Sequence, residues 1–516
     1  MLKLGLLGSA ALMLPVERQA RTDLSIKNRI PESQLPRPFQ VPFAVPPVAR
    51  PVKRTATTDV YQMSMRAVQA QILPGFPKTT VFGYDGLVPG PTILALAGRP
   101  VLIRHINRLP ALSPFNTPTT TSVHLHGSPS LPQYDGYASD VTAPGQYKDY
   151  RYPNVLNSAC TFWYHDHAVH HTAENAYMGL AAQYHLHSDA ELALPIPHGR
   201  YDVPLTIKDA IFTTNGSLVF DDNDHSSLFG DVILVNGRPW PVMKVERRKY
   251  RFRVLNASLS RSYRLALDSG EPFTIIGTDD GLMPAPQRVQ TFRLAMAERY
   301  EVVIDFARHK IEDRIILRNL SNPNNEDYPS TGRVMMFEVA SNATDTKNNT
   351  VPAVLNPDNA TMNLNETQAV RTRRMAFERD GGQWTINGST WDDVIKSGFE
   401  FVIANPGLGD VEIWEVSNDS GGWFHPVHIH LIDFRVLDRN GKPPFPYEIG
   451  PKDTVYVGED EKVRLIMKFR PNRGRYMMHC HNLVHEDHDM MTQFEVGQGG
   501  NDPFSAPARD LPAPSL

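Results

Sequence analysis

Four histidine pairs of the form His-x-His stand out in this sequence: His124/His126, His165/His167, His428/His430 and His479/His481, the last pair enclosing Cys480. In a β-strand, residues i and i+2 face the same side about 6.5 Å apart, so each pair offers two imidazoles to one side. Eight imidazoles gathered in this way are enough to hold three copper ions. The Cys480 sulfur must then point the other way, toward a separate metal joined to the cluster through one residue on each side. Wiring of that kind suits the passage of single electrons from a reductant to dioxygen.

A second ligand set follows from the same stretch. The Cys480 thiolate is followed by an imidazole at +5, His485, and a thioether at +10, Met490. His425, ahead of the third pair, completes two histidines and one cysteine with a weak axial methionine, the ligand set of a blue-copper electron-transfer centre. Structural zinc normally takes four cysteine or histidine ligands, so this combination disfavours zinc. Met491 adjoins Met490, and residue type alone leaves either as the axial ligand.

Not every histidine belongs to this pattern. Nineteen histidines in 516 residues produce about one His-x-His by chance. A fifth pair, His185/His187 in YHLHSD, lacks the glycine, tryptophan or cysteine context of the others and is assigned to chance. His170, His171 and His488 break the ligand spacing and read as surface or supporting residues. The chain has two cysteines; with Cys480 a ligand, Cys160 reads as a free buried thiol. Met335 and Met336 read as core, since no methionine-rich insert suggests cuprous-ion handling.

The elements that must carry these residues are strands. Tyr250, Phe252 and Val254 alternate with Lys249, Arg251 and Arg253, and Val463, Leu465, Met467 and Phe469 alternate mainly with Arg464, Lys468 and Arg470, the signature of half-buried strands. Turn signals such as Pro89-Gly90-Pro91 and Asn236-Gly237 punctuate them. An all-β chain of three β-sandwich domains is expected, at about 55–195, 196–345 and 366–498, with 346–365 as a linker and 499–516 as a tail. The second domain contains only His225 and His309 and reads as a copper-free spacer, so the two halves of the cluster must meet from domains one and three.

A net charge of −4 leaves no footprint for nucleic acid. The apolar run Leu4 to Leu14 is too short for a membrane span and reads as the core of a signal peptide over 1–20, followed by a proline-rich segment over 21–54. A secreted glycoprotein is the resulting expectation. Asn-x-Ser/Thr acceptors stand at Asn215, Asn256, Asn319, Asn342, Asn348, Asn359, Asn365, Asn387 and Asn418, and the crowded stretch 342–367 should be exposed and glycosylated.

The motifs SVHLHG (122–127), FWYHDH (162–167), HPVHIH (425–430) and HCHNLVHEDHDMM (479–491) resemble those of the multicopper oxidases, most closely their fungal bilirubin oxidase branch. The likeness extends to YDGYASD (134–140), HTAENAY (171–177), GDVILVNGRPWP (230–241), RKYRFRVLNASLSRS (248–262) and AERYEVVIDF (297–306), and weakens in residues 1–54 and in the tail. It implies three cupredoxin-like Greek-key domains and four coppers per chain. Type 1 copper would take His425, Cys480, His485 and Met490, with Met490 preferred over Met491 by the family spacing. Type 2 copper would take His124 and His428, and the type 3 pair would take His126, His165, His167, His430, His479 and His481.

The resemblance further implies one-electron oxidation of a tetrapyrrole or phenol near His485 or His425 and four-electron reduction of dioxygen to water. Asp135 and Glu486 would serve proton delivery, although a turn aspartate in Tyr-Asp-Gly and a solvated glutamate in a charged run are the plainer alternatives. Trp423 would stand beside the blue copper, with core packing as its alternative. A metallo-oxidase for Fe(II) or Cu(I) competes on the same fold but lacks a methionine-rich or acidic recruiting segment. A copper store would not need Cys480 wired between two cluster histidines. The expected partners are dioxygen and a small-molecule reductant, with no membrane span and a monomeric state.

Overall fold

A computed structural model describes residues 28–155 and 159–516, so the expected signal peptide lies outside the described residues. Strands account for 43% of the structure and helix for 8%, which makes it all-β. Six sheets group into three pairs along the chain. The first pair uses strands between Lys53–Arg54 and Ala181–His187, the second those between Asp202–Ala210 and Arg333–Asn342, and the third those between Arg371–Asp380 and Met491–Val496. Each pair opens with the same device: a long strand lies parallel to a later one, as Asp59–Ala70 to Val101–Asn107, Asp202–Ala210 to Lys249–Asn256, and Arg371–Asp380 to Val411–Asn418. Parallel neighbours cannot be joined by a hairpin, so the intervening chain must cross over.

Apolar side chains from both sheets of the third pair fill one core, among them Met375, Trp414 and Leu465 from one sheet and Val427, Tyr476 and Phe494 from the other. Domains one and two share a continuous core. The ends of the chain tie the domains together. The proline-rich segment runs extended over domain two, with Ile30 N–H donating to Phe212 O and Phe43 N–H to Val242 O, and then over domain one, with Ala49 N–H donating to Thr92 O. The tail returns to domain one, where Arg509–Asp510 pairs with Gln146–Tyr152.

Two expectations need correction. The charged face of Lys249–Asn256 does not meet water: Arg251 and Arg253 are fully buried. They lie among Glu191, Asp202 and Glu301, with Arg253 also donating to Thr161 Oγ1 of domain one. Period-two alternation therefore marks two buried faces here, one apolar and one ionic. The acceptor asparagines also divide: Asn215, Asn342, Asn348, Asn365 and Asn387 are exposed, whereas Asn256, Asn319, Asn359 and Asn418 are buried. Among the described residues no helix is long and apolar enough to cross a membrane.

Candidate metal centre

Strand phase sorts the ligands. Val123–His126 pairs with Cys160–Asp166 so that His124 opposes His165, and His425–Ile429 pairs with Gly474–Cys480 so that His428 opposes His479. On the latter two strands, Val427, Ile429, Tyr476, Met478 and Cys480 enter the domain-three core, so His428 and His479 fall on the opposite face. That face meets domain one. His126 stacks on His428 with ring centroids 3.6 Å apart, and His124 on His430 at 4.0 Å. All eight histidines of the four pairs are buried.

Two aspartates orient these rings in the same way from opposite sides. Asp135 accepts His124 Nδ1–H on its backbone carbonyl at 2.5 Å and His430 Nδ1–H on its carboxylate at 2.8 Å. Asp453 accepts His428 Nδ1–H on its carbonyl at 2.9 Å and His126 Nε2–H on its carboxylate at 3.0 Å. Each therefore fixes one histidine of its own domain and one from across the interface. Gly136 lets this happen: its φ is +73°, and a Cβ there would lie 2.6 Å from His124 Cα.

The ring nitrogens that remain fit metal ions. His124 Nε2, His126 Nδ1, His165 Nε2, His167 Nδ1, His428 Nε2 and both nitrogens of His481 are buried with no hydrogen-bond partner. His479 Nε2 faces His430 Nε2 at 3.1 Å and His167 Nε2 at 3.2 Å. Buried lone pairs in such number are costly unless a cation fills the space between them. Burial, reinforced by neighbouring imidazoles, holds His124, His126, His165, His430 and His481 well below the usual histidine range, His428 at about 3 and His167 at about 4. The rings are thus neutral, as ligands must be.

The second set lies on the core side of the same strands. Cys480 Sγ is 3.2 Å from His425 Nδ1 and 3.7 Å from His485 Nδ1, and the two nitrogens are 3.4 Å apart. His425 Nε2–H donates to Ser420 Oγ at 2.8 Å and His485 Nε2–H to Ser226 O at 2.8 Å, so both Nδ1 atoms are left for the centre. Burial pushes the Cys480 thiol well up, and only a bound cation would make it a thiolate. Met490 packs in the core that contains Cys480, whereas Met491 packs with Tyr137, Trp391 and Met477 on the other side.

Asp135 and Glu486 both reach the cluster. Glu486 Oε2 is 2.9 Å from His479 Nδ1, and its other oxygen is 3.6 Å from His167 Nε2. Burial raises Asp135 well above the usual carboxylate range. Glu486 feels the same burial, but His479 and His167 outweigh it and hold the group at about 2. Trp423 is half-buried, with its ring centroid 5.5 Å from those of His485 and Trp384. The histidines set aside in sequence stay apart: His185 bonds Gln183, His187 pairs with Glu191, His170 bonds the Asp487 carbonyl, and His171 precedes the helix Thr172–Met178. Cys160 is buried and its thiol donates to Asp280 O.

Several functional residues carry no spacing signal. Asp453 is one; Arg299, which donates to both of its carboxylate oxygens at 2.7 and 2.5 Å, is another. Trp384 stacks on His485 with centroids 3.7 Å apart and donates its Nε1–H to His225 O. Arg299 and Ser226 both come from domain two, so that domain is more than a spacer: it adds no imidazole to either centre but anchors both.

The whole chain can now be compared with known proteins. Multicopper oxidase family models match residues 65–191, 202–333 and 346–500. The chain is 42% identical to a bilirubin oxidase of Albifimbria verrucaria over 482 residues, covering 89% of this chain and 81% of that protein. It is 35% identical to a laccase of Bacillus subtilis over 508 residues, covering 88% and 97%. A laccase crystal structure from Pediococcus acidilactici shares the fold with a TM-score of 0.78 at 29% identity, covering 90% of this chain and 94% of that one. The chain belongs to the multicopper oxidase family and is a copper oxidoreductase with dioxygen as acceptor, built from three cupredoxin-like domains.

Proposed function

We propose that the protein is a secreted, monomeric oxidase that takes electrons from an open-chain, carboxylate-bearing tetrapyrrole of the bilirubin kind and reduces dioxygen to water. The observation that carries the substrate class is the surface beside His485. Exposed Arg379 sits 4.6 Å over the Trp384 ring and 5.9 Å from that of Trp423, which offers a cation and a half-buried aromatic edge together. A conjugated anion meets both. The 42% identity to a bilirubin oxidase supports the same choice. Phenols, as in the laccase relatives, are the second reading, since Trp423 alone can pack an uncharged ring.

In this reading His425, Cys480, His485 and Met490 hold type 1 copper, His124 and His428 type 2, and the remaining six cluster histidines the type 3 pair. Bound copper supplies the redox chemistry, accepting electrons singly and delivering four, with four protons, to dioxygen as two waters. Cys480 supplies the covalent path, since its main chain continues into His479 on one side and His481 on the other. Asp135 and Glu486 handle protons. Their environments push them apart, one toward the neutral acid and one toward the carboxylate, and such a division suits a donor and an acceptor. Asp453 is unsuited to that work, because burial would raise it but Arg299 holds it low and ionised.

Oxygen uptake by copper-loaded protein with bilirubin, a neutral phenol and Fe(II) tests the proposal. Bilirubin should be oxidised without release of peroxide, and Arg379→Ala should raise KM for bilirubin about tenfold, or ~1.4 kcal/mol, while leaving the phenol within twofold. Turnover of Fe(II) alone would refute the organic reductant.

A further inference from the structure

We propose that Asp222, His225 and His488 form a separate site for a divalent first-row transition cation, whose occupant acts on the electron-accepting copper through Ser226 and His485. The three side chains come from two domains. Asp222 and His225 lie in the loop that precedes Val232–Val235 of domain two, and His488 follows the short helix Leu483–Asp487 of domain three. They are accessible, with side-chain exposures of 22%, 34% and 32%.

Both imidazoles converge on a single atom. Asp222 Oδ2 is 3.1 Å from His225 Nδ1 and 3.2 Å from His488 Nε2, and the two ring centroids are 3.6 Å apart. Separations of that size are the edges expected around one ion bonded at about 2.1 Å to nitrogen and oxygen. Contacts between a ring nitrogen and a carboxylate oxygen are favourable only with a proton or a cation between them, and one divalent ion serves both. A cavity of about 270 Å³ opens beside them, with His170, Glu174 and Asp487 in its wall, leaving room for water to complete the coordination shell. Two imidazoles and one carboxylate with open positions select first-row divalent ions over calcium or magnesium.

The site is tied to His485 in three ways. Ser226, next to His225, accepts His485 Nε2–H on its carbonyl at 2.8 Å. Trp384, stacked on His485, donates to His225 O at 2.9 Å. The backbone N–H of His488 donates to His485 O at 3.2 Å. A dication held there disfavours the more positive state of a nearby copper, so it should raise that copper's reduction potential. This effect rests on the type 1 reading above; cation binding itself does not.

The test is calorimetric titration of the copper-loaded protein with Zn(II), which has no redox chemistry of its own, while copper content is monitored. One zinc should bind beyond the copper complement. Its affinity should fall at least tenfold in Asp222→Asn, His225→Gln and His488→Gln, but not in the control His309→Gln. Redox titration of the blue absorption should show an upward shift with zinc in the unmodified protein and none in His225→Gln. Unchanged zinc affinity in all three variants would overturn the site, and binding without a shift in potential would overturn its action on the copper. A copper-loaded protein with no blue absorption would instead count against the type 1 reading, with the calorimetry still deciding the zinc site.

Discussion

At the scale of single residues, Asp135 and Asp453 perform one orienting task in two electrostatic settings. Arg299 clamps Asp453, whereas burial alone acts on Asp135. Asp135→Asn keeps the shape and the carbonyl contact to His124 but removes a transferable proton. It should slow dioxygen reduction by roughly 10²- to 10⁴-fold with the blue absorption intact; stopped-flow reoxidation of reduced enzyme measures this. The paired methionines make a second case. Met490→Leu should cost less than about 1.5 kcal/mol in packing, keep the blue colour and raise the type 1 potential, because a weak donor to Cu(II) is lost. Met491→Leu should leave the potential unchanged, and redox titration of the two variants side by side decides between them. Those candidate ligands were legible in sequence because each sits at a fixed offset from another. Asp453, Arg299 and Trp384 were not, because their partners lie far off in sequence, several of them in other domains, at separations that carry no period.

At the scale of elements, the strand period predicted which face each histidine takes, and it misread Lys249–Asn256. An alternating strand usually has one wet face, but here domain one covers it, and three carboxylates surround Arg251 and Arg253. Nothing local in RKYRFRV distinguishes a buried ionic face from a solvated one. Removing one cation leaves the carboxylates uncompensated, so Arg253→Met should destabilise by about 3–5 kcal/mol, read as a loss of thermal stability at pH 7. Burial alone would raise Asp202 and Glu191; Arg251 and Arg253, with His187 at Glu191, more than offset it and leave both depressed. A depressed carboxylate contributes fully above its unfolded value, about 3.9 for Asp and 4.3 for Glu, and loses that contribution as pH falls through the folded value. From these groups, thermal stability should be flat between about pH 7 and 5 and should erode below about 4. The loss in Arg253→Met should shrink over the same acid range.

At the scale of the whole molecule, the ligands of the cluster are divided between domains that do not adjoin in sequence. Copper held by them would bind only the closed arrangement, and ions that bind the native state alone stabilise it by mass action. At a thousand times the dissociation constant this amounts to about 4 kcal/mol. Chelation should lower the melting temperature of domains one and three together, and calorimetry with and without copper would show it; melting of only one of them would count against a shared site. The crossed pattern of Asp135 and Asp453 has a further consequence. Each supplies its carbonyl at home and its carboxylate abroad, so exchanging domains one and three maps His124 onto His428 and His430 onto His126. The pattern approaches that of an isologous interface, in which one surface meets a second copy of itself, and departs from it in the ring nitrogen used across the interface, Nδ1 of His430 against Nε2 of His126. Arg299 marks where the two halves differ: it holds Asp453 as a fixed anion, whereas burial alone acts on Asp135 and raises it toward the neutral acid.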